Sequence, residues 1–527
     1  MFDLLIHGGH IIDGTGNVGF SGALGIQGET VRVLRGDVSQ VEAARSIDAS
    51  GQVVCPGFID FHAHSGLMIL AQPHHDPKVR QGVTTEVIGV DGCSYAPFRS
   101  QADLQRFIDL NSGLDGRPEL HQRWSTVAEY LSLFDNTVAV NICYLLGNSP
   151  LRIATVGWQD RPLGRDDLSN MKSLLREAME EGAWGMSTGL DYPPGDYADT
   201  SELVELSREV ARLGGIYHTH VRYRKGDMYL DPFLEALEIG RRSHVPAHIT
   251  HFYQSSITSR GSADGLLHLV EDARDKEGLD VTFDSYPVIY GSTRLLIMLP
   301  DWAHDGGPDR VREVIRSPEA RRRLRTEVAP RAQSWNDIWL TYFRQPHNHK
   351  YEGSSLADVA QMMGKHPVDA ICDLLIDEDL QVSYVGAGVN AFTLPRFIAH
   401  PMSMVGSDAL LIGDYPSPRS YGCFPMILAE YVRDERWMSL PQAIRKMTSF
   451  PAQRLGIPDR GLLRDGFKAD VVIFDPGRVR APATRAQPKQ FPIGINYVIV
   501  NGKVVVDQSQ NTGILAGRAL RRGRATT

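Results

Sequence analysis

The sequence predicts an α/β protein: a (β/α)8 TIM-like barrel, a small β-sandwich domain built from both termini, and an inserted subdomain. Three observations support this prediction. The middle of the chain alternates eight strand-like runs with helical stretches, the pattern of a parallel sheet. Both ends consist of short apolar runs bounded by glycines. The stretch 291–347 is too long for a connection between a strand and its helix, and it carries its own predicted helix at 308–327.

The two ends are predicted to form one β domain from residues 1–55 and 458–527. Near the start, apolar runs such as 3–9 lie between glycines. Near the end, Asn501-Gly502 separates two valine-rich runs, which is a strong signal for a hairpin. Because the two ends share this texture, we expect them to pair.

The barrel domain is predicted to cover residues 56–457, with an insertion at about 291–347. Its eight candidate strands are 57–64, 84–90, 138–146, 183–190, 216–221, 246–251, 279–286 and 403–408. Helices are expected between them, for example at 166–181, 201–213 and 232–242. In such a barrel the reactive site lies at the carboxyl ends of the strands.

Composition argues against several classes of partner. With 527 residues, a net charge of -8 and a pI near 6.1, the chain has no electrostatic basis for binding nucleic acid or an anionic membrane. We expect neither a signal peptide nor a membrane span, because no apolar run reaches about 18 residues. Five scattered cysteines fit a reducing cytoplasm, which is the expected location. The basic run 518–524 is interpreted as a solvated tail.

The run 56–64 ends in His-x-His and is the first candidate for a metal site. Residues two apart in a strand point to the same face, so His62 and His64 aim at one point where the strand stops. Two imidazoles at such a point suit a divalent metal. The pair alone is equally compatible with two ordinary histidines, so the prediction depends on the other strand ends.

Further candidate ligands follow other predicted barrel strands. They are Cys93 after strand two, His218 or His220 on strand five, His248 or His251 on strand six, and Asp408 after strand eight. Position favours His220 and His251, because ligands belong at the carboxyl end of a strand. Taken singly, Cys93 is also compatible with a buried thiol and Asp408 with a helix N-cap. Their joint occurrence at the ends of one barrel's strands predicts a metal centre.

The motifs at these strand ends resemble the amidohydrolase superfamily, and more closely its N-acyl-D-amino-acid deacylases, or D-aminoacylases. The resemblance runs nearly end to end. A cysteine in place of the modified lysine of many amidohydrolases makes it specific, and no lysine follows strand four. The stretches that carry it include 56–64, 82–89, 91–97, 185–195, 219–222, 250–251, 284–287, 406–409, 416–422 and 469–476.

The resemblance implies zinc as the cofactor, in one tight site and a second, weaker site. The tight zinc would be held by Cys93, His220 and His251. The weaker position would use His62, His64 and Asp408, with Cys93 able to bridge. A set of cysteine and histidine ligands suits zinc.

The resemblance also implies where the substrate is bound. Tyr286 matches a tyrosine at the substrate's carbonyl or carboxylate, and Arg419 matches an arginine at the carboxylate. Tyr192, in the motif 185–195, and Arg222 are further candidate contacts.

Two positions depart from the family pattern. Tyr253 stands where the family has a lysine that binds the substrate carboxylate, and a tyrosine cannot supply a full positive charge. Arg419 or Arg222 would then have to compensate. Trp184 stands where the family usually has a smaller apolar residue.

The implied reaction is zinc-dependent hydrolysis of a carbon–nitrogen bond other than a peptide bond. The favoured substrate is an N-acyl-D-amino acid or a related N-acyl compound, attacked by metal-activated water with Asp408 as general acid and base. The expected partner is a small amide, with no nucleic acid or membrane. The sequence leaves two alternatives open: a hydrolase of a cyclic amide, carbamate or lactone on the same fold, and a non-catalytic barrel scaffold.

Overall fold

Eight parallel strands follow one another in the computed structural model, which describes residues 1–257 and 261–523. They are Phe58–Asp60, Val83–Ile88, Asn141–Tyr144 with Leu146–Gly147, Gly185–Gly189, Ile216–His220, Ala247–Ile249, Val281–Ser285 and Ser403–Val405. The third strand continues through Leu145, whose N–H donates to the carbonyl of Ile88 (2.9 Å). The N–H of Phe61 donates to the carbonyl of Val405 (3.3 Å), which joins the first strand to the eighth. The predicted (β/α)8 fold class is confirmed.

Helices lie between the strands and bury one face against them. In Thr200–Arg212 the N-cap Asp199 accepts the N–H of Glu202 (2.8 Å), and Leu203, Leu206 and Val210 are buried at helical spacing. The outer helices are Met68–Ala71, Asp76–Val79, Gln101–Asp115, Val127–Ser132, Asn148–Thr155, Arg165–Glu181, Thr200–Arg212, Asp231–Ser243, Ala263–Asp275, Leu394–Ala399, Arg419–Met426, Leu440–Met447 and Ser449–Leu455, with a π-helix at Ile427–Asp434 and a 3₁₀ turn at Gly195–Tyr197.

An antiparallel sheet lies between the seventh and eighth barrel strands. Its strands are Tyr290–Arg294, Ile338–Phe343 and Val382–Ala387, the last in the middle. The accompanying helices are Pro308–Arg316, Pro318–Glu327, Leu356–Met363 and Pro367–Asp377, with 3₁₀ turns at Leu295–Met298, Asp301–Ala303, Trp335–Asp337 and Pro346–Tyr351.

The single helix predicted at 308–327 is wrong, because two helices occupy this stretch. The chain breaks at Ser317, whose Oγ accepts the N–H of Ala320 (3.3 Å). Pro318 follows at the first position of the second helix, where its missing N–H costs nothing. A capping serine before a proline therefore ends one helix and starts another.

The termini form a β sandwich of two sheets. One sheet contains Phe2–His7, Ala23–Gln27, Thr30–Leu34 and Ala43–Asp48; the other contains His10–Ile11, Phe20–Ser21, Val53–Pro56, Val471–Phe474, Ile495–Val500, Lys503–Asp507 and Gln510–Asn511. Apolar side chains of both sheets, among them Leu4, Ile26 and Ile473, share one buried cluster. The predicted hairpin is confirmed: Asn501 (φ +49°) and Gly502 (φ +79°) form its turn.

The interpretation of 518–524 as a solvated tail is wrong for its described part, residues 518–523. Its backbone pairs with the third barrel strand, since the N–H of Leu520 donates to the carbonyl of Ile142 (2.7 Å). Leu520 is buried, and its carbonyl accepts the indole N–H of Trp184 (2.6 Å). Trp184 thus packs at the amino end of strand four, away from the strand ends where the ligands gather.

Within the described residues, no helix combines the length and the apolar character needed to cross a bilayer.

Candidate metal centre and active site

Four histidines and two aspartates converge at the carboxyl mouth of the barrel. They lie at or just past the ends of strands one, two, five, six and eight, and all are buried: His62, His64, Asp91, His220, His251 and Asp408. Ligand atoms within 4.8 Å of one another form two groups that share Asp91, one with His62, His64 and Asp408 and one with His220 and His251. The structure thus brings together five of the predicted ligands.

Backbone turns aim three of these side chains into the centre. Asp91 (φ +53°), His251 (φ +33°) and Asp408 (φ +47°) adopt left-handed conformations that residues other than glycine rarely take. Such strained positions cluster at functional sites, where the surrounding structure holds them. Here each turn reverses the chain just past a strand and directs the side chain over the mouth.

The histidines are oriented from outside the centre. The Nδ1 atom of His64 lies 2.8 Å from Asp115 Oδ1, and that of His251 lies 2.7 Å from the Tyr223 hydroxyl. The Nδ1 atom of His62 lies 3.6 Å from Asp284 Oδ2. The Nε2 atoms of all three face the centre. Metal-binding histidines typically have one nitrogen held in this way while the other faces the ion.

Several buried atoms of the centre lack hydrogen-bond partners among the described residues. His62 Nε2 and Asp91 Oδ1 lie within it, and His62 Nδ1 and His220 Nε2 lie on the outer sides of their rings, toward Asp284 and Asp191. Buried polar atoms are costly unless they are paired, and a divalent cation would satisfy nitrogen and carboxylate donors of this kind. The residues present therefore fit a zinc centre.

A buried network fixes the ends of the first and eighth strands relative to each other. Asp60 accepts the backbone N–H groups of Ser407 (2.8 Å) and His62 (3.2 Å), and it pairs with Lys78. At Gly406 a Cβ would lie 2.7 Å from the Cβ of His62, so the close approach requires glycine. This network holds His62 opposite Asp408.

Arg419 holds Asp408 rather than facing the cavity. Its Nη2 lies 2.7 Å from Asp408 Oδ2, and its Nε donates to the Asp408 carbonyl (2.8 Å). Its guanidinium also stacks 4.0 Å from the Tyr286 ring, and the side chain is fully buried. Burial opposes ionisation of Asp408, but Arg419, together with His64, outweighs it and lowers the pKa of Asp408 to about 2.

We expect Arg419→Met to destabilise the metal-free protein by about 3–5 kcal/mol, because it leaves the Asp408 carboxylate buried without a cation. The loss in free energy of unfolding should be largest at neutral pH and shrink on acidification, since the pKa of Asp408 is depressed only while Arg419 is present. Urea unfolding at several pH values measures it. Arg242→Met, which breaks the exposed pair with Glu238, should cost less than about 1 kcal/mol. Equal losses of unfolding free energy in the two variants would contradict the stabilising role of the Arg419–Asp408 pair.

A cavity of about 480 Å³ opens from the centre. Tyr192, Tyr253 and Tyr286, all predicted substrate contacts, line it. Arg222 does not, because its guanidinium donates to the carbonyls of Asp196 (2.5 Å) and Ala198 (2.8 Å). Neither Arg222 nor Arg419 is thus free to replace the missing lysine.

Two arginines that the sequence did not single out line the cavity instead. Arg331, from the inserted segment, pairs with Asp191 (3.2 Å). Arg224 has no ion pair among the described residues, and burial and the Arg331 guanidinium lower its pKa. Asp191, which lines the same cavity, already offsets part of this positive charge, and the guanidinium of Arg224 is left to attract a further anion.

The structure does not bring Cys93 into the centre. Its Sγ lies 3.5 Å from Asn111 Oδ1, and the side chain packs with Leu114 and Leu410. Burial raises the pKa of this thiol to about 12. Asp91, two residues earlier, belongs to both ligand groups. The sequence signal that could have indicated Asp91 is its position directly after Val90, the last apolar residue of the predicted second strand.

The earlier histidines of the two strand pairs lie deeper in the barrel. His248 bonds through Nε2 to Asp284 Oδ2 (3.0 Å) and through Nδ1 to Thr282 (2.9 Å). His218 lies 3.3 Å from the carbonyl of Phe61 and forms a third possible ligand group with His62 and Asp284. The preference for His220 and His251 agrees with this placement.

The fold and this centre define a class of (β/α)8 barrels with clustered histidine and aspartate side chains at the mouth that could hold a metal ion. A family model described as "Amidohydrolase family" matches residues 45–506. Over 525 residues the chain is 35% identical to the D-aminoacylase of Alcaligenes xylosoxydans xylosoxydans, covering 99% of this chain and 98% of that one. It is 33% identical to an N-acyl-D-aspartate deacylase of the same organism, covering 99% and 96%.

A solved structure agrees with these matches. The N-acyl-D-glutamate deacylase of Bordetella bronchiseptica, complexed with zinc and a phosphonate mimic of the tetrahedral intermediate, is 30% identical. It superposes with a TM-score of 0.82, covering 99% of each chain. The chain belongs to the amidohydrolase family, as its motifs led us to expect.

Proposed function

We propose that this protein is a zinc-dependent deacylase of N-acyl-D-amino acids, which hydrolyses the carbon–nitrogen bond of the N-acyl group. The observation that supports it most is the histidine–aspartate centre at the base of the cavity. The relatives named above, which act on N-acylated D-amino acids, support the choice of substrate.

We assign one metal position to His220 and His251 and a second to His62, His64 and Asp408. Bound zinc would polarise the amide carbonyl and lower the pKa of the attacking water. The oxygen and nitrogen donors present suit zinc at both positions.

Asp408 is the proposed general acid and base. Because Arg419 keeps its carboxylate ionised at neutral pH, it can accept a proton from the attacking water. It then returns that proton to the departing nitrogen, which leaves as the amine. Tyr286, at the cavity wall beside Arg419, is placed to donate a hydrogen bond to the developing oxyanion.

We propose Arg224 and Arg331 as the site of the substrate carboxylate. They are the arginines of the cavity wall, and they take over the role of the lysine that Tyr253 replaces. A small anionic amide is thus the proposed partner. The five buried, unpaired cysteines support a cytoplasmic location.

A panel assay tests the proposal. We expect release of amino acid from N-acetyl-D-amino acids, loss of activity on dialysis against a chelator, and recovery with zinc. Cyclic amides, carbamates and esters serve as competing substrates. Faster turnover of a cyclic amide, or activity that survives complete metal removal, would contradict it.

A further inference from the structure

We infer that one face of the antiparallel sheet between the seventh and eighth barrel strands binds the acyl group of the substrate, and that this group is an extended apolar chain longer than acetyl. The inference rests on the proposed function, because this face is part of the same cavity. Three glycines on the sheet or just past it line the cavity: Gly291, Gly386 and Gly388. Together they form a stretch of wall without side chains, which we call the glycine strip.

The backbone of the glycine strip does not itself require glycine. All three residues lie outside the positive-φ region, so other residues could adopt the same conformation. A Cβ at Gly291 would lie 4.0 Å from the Tyr286 hydroxyl, and one at Gly388 would lie 3.7 Å from Ile257 Cδ1. Both positions thus have room for a side chain. Glycine weakens a strand and often marks a place where a ligand comes close, so this room is assigned to a ligand.

The strand register gives the strip a direction. Gly291 pairs with Gly386, and Thr293 pairs with Tyr384. Residues two apart on a strand share a face, so Tyr384, Gly386 and Gly388 follow one another along the cavity wall. Each such step is about 7 Å long. The wall therefore has a tyrosine end and a glycine end.

The tyrosine end lies beside the proposed carboxylate site. Burial raises the pKa of Tyr384, and the nearby guanidiniums of Arg331 and Arg224 oppose that rise. Across the strand pair, Thr293 Oγ1 lies 3.1 Å from the Tyr192 hydroxyl. The carboxylate of the substrate, held by the two arginines, would thus lie at this end of the wall.

The glycine end lies beside the groups that are proposed to act on the amide. The carbonyl of Tyr290 accepts a hydrogen bond from Arg419 Nη1 (2.7 Å), and the same arginine pairs with Asp408. Gly291 follows Tyr290 directly, and its open side adjoins the hydroxyl of Tyr286, the proposed oxyanion donor. With the carboxylate at the far end and the amide carbonyl at Tyr286, the acyl group extends along the glycine strip.

The dimensions of the site fit a chain of about six to eight carbon atoms, because the step from Gly386 to Gly388 alone spans about 7 Å beyond the amide. The cavity measures about 480 Å³. N-acetyl-D-alanine would fill only roughly 150–200 Å³ of it at ordinary packing density. Ile257, at the outer end of the strip, lines the cavity and is 42% exposed, so it offers an apolar contact to the end of such a chain.

A chain-length series on D-alanine tests the inference with the zinc-loaded, full-length enzyme. From N-acetyl- to N-hexanoyl-D-alanine, kcat/KM should rise about 3-fold for each added methylene, because each one moves from water onto the strip. The rise should level off beyond N-octanoyl-D-alanine. N-acetyl-D-2-aminooctanoic acid, which carries its extra carbons on the side chain, should gain much less.

Gly388→Val tests the strip directly, because its side chain would occupy the space that the chain needs. The ratio of kcat/KM for N-octanoyl-D-alanine to kcat/KM for N-acetyl-D-alanine should fall at least about 10-fold. Gly164→Val, at an exposed helix N-cap with extended backbone (φ −81°, ψ 170°), is the matched control and should keep the wild-type ratio. Because the ratio compares two substrates of one preparation, loss of folded enzyme does not change it.

Three results would overturn the inference: a flat or falling chain-length series, an equal gain from carbons on the side chain, or a wild-type ratio in Gly388→Val. A flat series with efficient hydrolysis of the N-acetyl substrate would leave the proposed function standing.

Calorimetric titration with sulfonamides that cannot be hydrolysed gives a readout without turnover. N-octylsulfonyl-D-alanine should bind at least about 10-fold more tightly than N-methylsulfonyl-D-alanine. A protein that shows this preference but hydrolyses no N-acyl-D-amino acid would contradict the proposed function and leave the role of the glycine strip standing. Equal affinities for the two sulfonamides would overturn that role.

Discussion

Asp408→Asn is expected to lower kcat by about 10²- to 10⁴-fold while most of the zinc stays bound. The asparagine amide has nearly the shape of the carboxylate, but it cannot take a proton from the attacking water. It also cannot return one to the leaving nitrogen. The four histidines of the two proposed positions remain to hold metal. Steady-state kinetics on an N-acetyl-D-amino acid, together with metal analysis of the same preparation, measure both effects.

Glu327→Gln provides the control for this variant. Glu327 is another acidic residue of the cavity lining, paired with Arg323 (2.7 Å) and outside the ligand groups. We expect its kcat to be nearly that of the wild type. Near-normal turnover of Asp408→Asn would refute the proton shuttle. Loss of metal in parallel with activity would make Asp408 a ligand only.

The site residues that lie on or near strands could be predicted from the sequence, because side chains alternate between the two faces of a strand. In a strand, side chains two apart share a face, and the backbone is still paired at Ala63, whose N–H donates to the carbonyl of Val87 (3.0 Å). The His-x-His spacing therefore places His62 and His64 side by side, with ring centroids 5.3 Å apart. Position at the carboxyl end of the strand ranked His220 above His218, and His220 lines the cavity whereas His218 does not. The eight-strand pattern likewise predicted the barrel.

Turn geometry is what the sequence did not reveal. Past the end of a strand, the direction of a side chain depends on the backbone angles φ and ψ. Asp91 has a positive φ, and its side chain, rather than that of Cys93, joins the ligand groups. Asp and Asn tolerate this conformation better than other residues apart from glycine, which is a weak signal that favours Asp91.

The sequence also did not predict which side chains from separate segments of the chain form ion pairs. Arg419 follows Asp408 by only eleven residues, yet nothing in the sequence indicates that its guanidinium turns back onto that carboxylate. Arg331 belongs to the inserted segment, and its place in the cavity wall depends on how that segment packs over the barrel. Motifs alone therefore indicated Arg419 as the carboxylate contact and gave no sign of Arg331.

Replacing both cavity arginines, as Arg224→Gln with Arg331→Gln, is expected to lower kcat/KM for an N-acetyl-D-amino acid by about 10²-fold, mainly through KM. Hydrogen bonds to a charged group contribute about 1.5–3 kcal/mol, and kcat should change little because neither arginine touches the reacting bond. The methyl ester of the same substrate has no carboxylate charge, so its kcat/KM should be nearly unaffected. Lys225→Gln, adjacent in sequence but paired with Glu235 (2.8 Å), is the matched control. Equal losses for acid and ester would show that the arginines shape the cavity rather than bind the carboxylate.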